Sequence, residues 1–290
     1  MDYLIIFIAD ILLALSFAFQ KKYQIAEGAG VRAGLKFNLV CGFSEAILFL
    51  CFLGFQPDFS LFSLCCALIA SICLILYLLF GFVILRDGNT ALYSLFLMCG
   101  GMILPYLFGI IVLNENVTAL RIIGTIIIVS AVFLSSQTKV KFSWKSLLFC
   151  IAVFILNGFV SIISKVHQLN IDAVNSMSFV VYSGLCKCIL SAIVLLLIKS
   201  KKKSPNATRK FFEQRKIFML IFIAAAIGGI SYLLQLMGAK TVPASVLYPL
   251  ITGGSIIFSA LTGKIILKEK LSKLTIISIV LCFIGTLLFL

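Results

Sequence analysis

What most limits the folds open to this chain is a succession of ten apolar windows, each about as long as hydrocarbon is thick, with almost nothing between them. A bilayer core is about 30 Å deep and a helix rises about 1.5 Å per residue, so a spanning helix needs about 20 mostly apolar residues. The windows run from Tyr3 to Gln24, Leu35 to Phe55, Leu61 to Leu85, Thr90 to Leu113, Leu120 to Ser136, Trp144 to Val166, Asn175 to Ile198, Lys216 to Ala239, Val242 to Leu267 and Leu274 to Leu290. Of the 290 residues, 62% are hydrophobic and 12% charged. Soluble domains hold about 45–50% apolar residues, and no soluble fold buries the excess. A membrane barrel needs alternating apolar and polar residues, whereas these runs are continuous, as in the stretch from Ser278 to Leu290. The expected class is therefore an all-α integral membrane protein with ten transmembrane helices. The first window has no Lys or Arg ahead of it and exceeds a signal-peptide core, so it is expected to be retained. Only the connection from Lys199 to Arg215 is long, which leaves no room for a soluble catalytic domain.

The second half repeats the first. Leu113-Asn114-Glu115 matches Leu267-Lys268-Glu269 at an offset of 154, followed by Thr118 and Ser272, either of which suits a helix N-cap. Gly109 matches Gly263 at the same offset, and Tyr77-Leu78-Leu79 matches Tyr232-Leu233-Leu234 at 155. In the second and seventh windows, Phe37 matches Phe179, Gly42 matches Gly184 and Glu45 falls opposite Lys187, all at 142. The halves are 1–138 and 139–290. Five helices is an odd number, so the halves enter the membrane from opposite sides as an inverted repeat, a geometry suited to alternating access.

The pattern Leu-x-Glu-x-(Val/Leu)-(Thr/Ser) closing the fourth and ninth helices, with helix count, length and duplication, resembles the EamA-type transporters of the drug/metabolite transporter superfamily. The resemblance spans essentially the whole chain. It implies secondary rather than ATP-driven transport, and a central cavity lined largely by the third, fourth, eighth and ninth helices. One departure stands out: such proteins often carry Trp-Gly in the first and sixth helices, where this chain has Leu15-Ser16 and Asn157-Gly158.

Several residues are candidates for a substrate pathway. Tyr77, Tyr93, Tyr232 and Tyr248, with Gln235 one turn beyond Tyr232, are the amphipathic groups that a small-molecule pocket uses for its walls. Gly100 and Gly101 in the fourth helix and Gly253 and Gly254 in the ninth allow close helix crossings. Pro105 and Pro249 loosen the same two helices. Ionisable groups within spanning helices are costly, by about 2.5 kcal/mol or more, and mark a pathway or a pairing. Glu45 and Lys187 qualify at mid-helix and are expected either to pair or to hold substrate, and Asp10 is a candidate coupling acid for a proton or ion. Lys165 is expected to snorkel to the headgroups, and His167 to sit at the interface. Glu115 and Glu269 read as structural turn residues. Cys99 is expected to face a water-filled path and Cys282 to face lipid.

All ten cysteines lie in apolar windows, and there is one histidine, so neither a disulfide framework, a metal site nor a cofactor is expected. No Walker sequence, paired acids or nucleophile elbow occurs, so an enzyme is not expected. A non-transporting membrane subunit and a lipid-modifying enzyme are the rival readings to a carrier of small metabolites or drug-like molecules. The net charge of +14 belongs to loops beside apolar helices and orients the protein in a membrane rather than binding nucleic acid. Of the 24 basic residues, 20 fall on odd-numbered connections or the helix ends beside them. The Lys199 to Lys203 run is then a cytoplasmic loop, in a plasma (inner) membrane with both termini extracytoplasmic. This conflicts with the resemblance, whose best-known members keep both termini in the cytoplasm. Substrate identity, direction of transport and oligomeric state are not written in these residues.

Overall fold

A computed structural model describes residues 2–28, 30–86, 90–135, 144–198 and 211–289. The boundary between the halves at 138 and 139 and the Lys199 to Lys203 run lie outside the described residues. Ten helices fill the described chain: α1 (Asp2–Glu27), α2 (Val31–Phe52), α3 (Leu61–Arg86), α4 (Thr90–Ile111), α5 (Ala119–Ser135), α6 (Trp144–Leu169), α7 (Ser176–Leu197), α8 (Phe211–Thr241), α9 (Ala244–Ile266) and α10 (Lys273–Leu287). Helices satisfy every interior backbone donor and acceptor within one segment, which lipid demands. Large apolar side chains such as Leu4, Phe7, Phe52, Leu148, Leu196 and Ile265 stay exposed on the outside of the bundle.

Eight helices, α1 to α4 and α6 to α9, are long and apolar enough to cross a membrane. The other two, α5 and α10, are shorter apolar helices that fall on the fifth and tenth windows. Helices α5 and α10 have 17 and 15 residues. At about 1.5 Å per residue they reach only about 22–26 Å. The two short helices lie antiparallel on one another, with Gly124 against Gly285 and Phe289.

Helix α1 packs on α8 and α9, and α6 packs on α3 and α4. Likewise α2 packs on α7 and α8, α7 on α2 and α3, α4 on α9 and α5 on α10. Exchanging each helix with the one five places later carries this set of contacts onto itself. The α2–α7 crossing shows the same reciprocity residue by residue. A Cβ on Gly42 would meet the Gly184 carbonyl at 2.5 Å and the Cys188 amide at 2.9 Å. One on Gly184 would meet the Gly42 carbonyl at 2.8 Å and the Ala46 amide at 3.1 Å. Arg32, near the start of α2, donates to the Ile198 carbonyl at the end of α7, while Asn175, the N-cap of α7, donates to Asp58 beyond the end of α2. The two helices therefore run antiparallel.

The matched turns share one local structure. Asn114 and Lys268 both adopt positive φ, 54° and 56°. Each is followed by a glutamate whose N–H donates six residues back, Glu115 to Gly109 at 3.0 Å and Glu269 to Gly263 at 3.1 Å. This is a helix end closed by a left-handed residue. Thr118 Oγ1 then accepts from the Arg121 amide at 3.4 Å, and Ser272 Oγ from the Thr275 amide at 3.1 Å, so both cap the next helix.

Candidate substrate site

At the α2–α7 crossing, Lys187 Nζ donates to Glu45 Oε2 at 2.5 Å. The two charges approach because the facing glycines, Gly42 and Gly184, bring their helices together one turn away. Both side chains keep some access, 16% for Lys187 and 13% for Glu45, so the pair is not sealed in the core. Gly229 of α8 clears space beside it: a Cβ there would stand 3.3 Å from Glu45 Cγ and 2.9 Å from the Phe49 ring.

Three residues on, on the same face of α8, Tyr232 stands within electrostatic reach of Lys187 and Glu45. Its hydroxyl shares a 3.1 Å hydrogen bond with Ser164 Oγ of α6. Tyr248 of α9, buried nearby, donates to the Ser161 carbonyl at 2.5 Å. Gln235 Nε2 donates to Ser231 Oγ at 3.1 Å, and Ser231 in turn donates to the Ala9 carbonyl of α1 at 2.7 Å. Charges, phenols and hydroxyls from α2, α6, α7, α8 and α9 thus share one neighbourhood. Tyr77 and Tyr93 stand apart from it, next to one another on α3 and α4, with Phe80, Phe149 and Cys150 around them. Tyr93 precedes Tyr248 by 155 residues, the spacing of Tyr77 and Tyr232, so the four tyrosines form two equivalent pairs.

The paired glycines serve helix crossings with specific partners. Gly100 abuts the α6 backbone at Phe154, Gly101 the Asn157 amide, Gly253 Thr286 of α10, and Gly254 the Asp10 carboxyl. Asp10 is buried, 3% exposed, and its Oδ1 has no hydrogen-bond partner. Asn157, against Gly101, donates to the Leu97 carbonyl at 2.7 Å.

Three expectations are corrected. Lys165 does not snorkel: it is 3% exposed and donates to the Ala239 and Val242 carbonyls, each at 2.7 Å. The free acceptors at the end of α8 hold it inside. His167 does not sit at an interface but is fully buried, stacked on Phe179 with ring centroids 3.6 Å apart and bonded through Nε2 to Ser63 Oγ at 2.9 Å. Cys282 is covered by protein rather than lipid, packed with Ile128 and Val132, while Cys99 keeps only 8% exposure. Among the described residues no group of His, Cys, Asp and Glu is arranged to hold a metal.

A helical bundle that is apolar outside and carries an ion pair, phenols and hydroxyls within is a polytopic membrane protein. Within that class, residues 144–290 match the EamA-like transporter family. The chain belongs to that family, part of the drug/metabolite transporter superfamily. A solved crystal structure of a protein, 17% identical, superposes with a TM-score of 0.75 over 99% of this chain and 94% of the other, and so has the same fold. No curated protein matches the sequence.

Proposed function

We propose that this protein is a secondary transporter that carries a small metabolite or drug-like molecule across the membrane by alternating access, through a central cavity between two inverted five-helix repeats, 1–138 and 139–290. The observation that carries the reading is the Glu45–Lys187 pair, placed mid-helix where the repeats cross and still partly accessible. Opposite charges inside a membrane protein mark a pathway. The antiparallel course of α2 and α7, which are repeat counterparts, supports the inversion. Among the described residues α3 and α8 share no extended packing, which suits a space between them.

In this reading Tyr232, Gln235 and Tyr248 orient the substrate on one side of the cavity, Tyr77 and Tyr93 on the other, and Asp10 is the coupling acid for a proton or ion. The protein is not an enzyme. It lies in the plasma (inner) membrane with both termini extracytoplasmic, as the basic connections indicate; a cytoplasmic reporter signal from a fusion after Leu290 would reverse that orientation.

The test is a thermal-shift screen of amino acids, nucleosides, sugars, vitamins and drugs on the purified protein. Compounds that raise the melting temperature of the wild type are expected to lose that effect in Tyr232→Ala and in Glu45→Gln/Lys187→Met. Stabilisation that survives both variants places the substrate elsewhere.

A further inference from the structure

Two Glu–Lys sets stand near helix ends on opposite faces of the bundle, with different partners. Glu115 follows α4 and Glu269 follows α9, in the same left-handed turn. Lys165 lies near the end of α6 and Lys21 near the end of α1, on helices five places apart.

On the face that carries the chain termini, the first set is fully engaged with the ends of α8 and α9. Glu115 Oε1 accepts from the Ala244 amide at 2.7 Å and Oε2 from the Ser245 amide at 2.8 Å. These are free first-turn donors of α9. Lys165 holds the last-turn acceptors of α8 through its bonds to Ala239 and Val242. The carboxylate at the start of α9 and the ammonium at the end of α8 complement both helix dipoles, and they stand within electrostatic reach of one another. Together α4 and α6 grip both arms of the α8–α9 hairpin. On the opposite face, Glu269 bonds Lys21, and both side chains are open to solvent, 43% and 50% exposed.

We propose that Glu115 and Lys165 form a latch that keeps the terminus-bearing face closed. The proposal rests on the alternating-access reading and names the device that decides which face is open. Opening the terminus-bearing face pulls the α8–α9 hairpin from α4 and α6. Four backbone groups and two charges then exchange their partners for water at once, which makes the transition a switch rather than a gradual widening.

The test places a cysteine at Gln235, a half-buried α8 position between the Glu45–Lys187 pair and the latched face. Its reaction with a membrane-impermeant maleimide, supplied from the terminus-bearing side of oriented proteoliposomes, is read by peptide mass spectrometry. Losing charge-assisted hydrogen bonds in Glu115→Gln or Lys165→Met is expected to speed labelling by about tenfold or more. Glu269→Gln is expected to leave the rate at or below that of the parent. Glu115→Asp keeps the charge but is one methylene too short to span both amides. An intermediate rate is expected from it, and it keeps the test readable if the neutral variants do not fold. Parental rates in every folded variant at Glu115 and Lys165 overturn the latch. If the wild-type protein, with Gln235 in place, then still transports, only the latch has failed; faster labelling in the variants with no transport of any screened compound by the wild type keeps the latch and refutes the transport reading.

Discussion

Replacing Glu45 with Gln leaves the Lys187 ammonium in the membrane interior without its counter-charge, and Lys187→Met does the reverse. The pair is a direct contact, Nζ to Oε2 at 2.5 Å, with 16% and 13% of the two side chains open. Stranding one member of a buried pair costs about 3–5 kcal/mol, and the incomplete burial of both side chains places this case at the lower end, about 3 kcal/mol. With about 2–4 °C per kcal/mol in larger domains, each single variant is expected to melt about 6–12 °C below the wild type. The double variant removes both charges and leaves two groups of similar volume that need no counter-charge. It is expected to recover most of the loss, to within about 1 kcal/mol of the wild type. The assay is thermal melting of the four proteins in one detergent, read together as a double-mutant cycle. Single variants that melt within about 2 °C of the wild type would refute the reasoning, because both charges would then reach water or headgroups unaided.

Three further outcomes are expected. Gly42→Ala sets a methyl against the backbone of α7 at 2.5 Å and is expected to cost about 1–3 kcal/mol in folded yield and melting. Gly30→Ala, with nothing within 4 Å, is expected to cost only about 0.5 kcal/mol, the loss of a glycine N-cap of α2; effects as large as those of Gly42→Ala contradict the crossing. Asp10→Asn is expected to fold and to lose any dependence of transport on a proton or ion gradient, measured as uptake with and without the imposed gradient. Unchanged gradient dependence removes Asp10 from coupling. With N-ethylmaleimide, the exposed Cys51 and Cys65 are expected to react first, Cys99 slowly and less so with substrate bound, and the buried Cys282 last, by peptide mass spectrometry. Equal, substrate-insensitive labelling of Cys99 and Cys282 contradicts a pathway along α4.

Much of this architecture was legible in advance because the lipid restricts what apolar residues can build. Windows of about 20 such residues have no outcome there but helices. The caps Thr118 and Ser272 and the offset of Glu45 and Lys187 were also readable, since each depends on short-range chemistry or on simple register. The sequence was silent where a side chain is held by backbone atoms distant along the chain. Lys165 looked like a snorkelling residue because the Ala239 and Val242 carbonyls that hold it lie more than seventy residues away. Glu115 read as a turn residue, which it is, but its carboxylate also caps α9, 129 residues on. His167 carries no sign of its stacking on Phe179.

Flux through the reconstituted protein tests the account most directly. A compound that stabilises the wild type in the thermal-shift screen is loaded outside proteoliposomes, and its accumulation is followed under an imposed gradient, with empty liposomes and Tyr232→Ala as controls. The account predicts saturable uptake by the wild type that unlabelled compound competes away and that Tyr232→Ala loses while still folded. Binding without flux in the wild type, under every gradient tried, would contradict it and leave a membrane protein that holds its ligand and does not carry it.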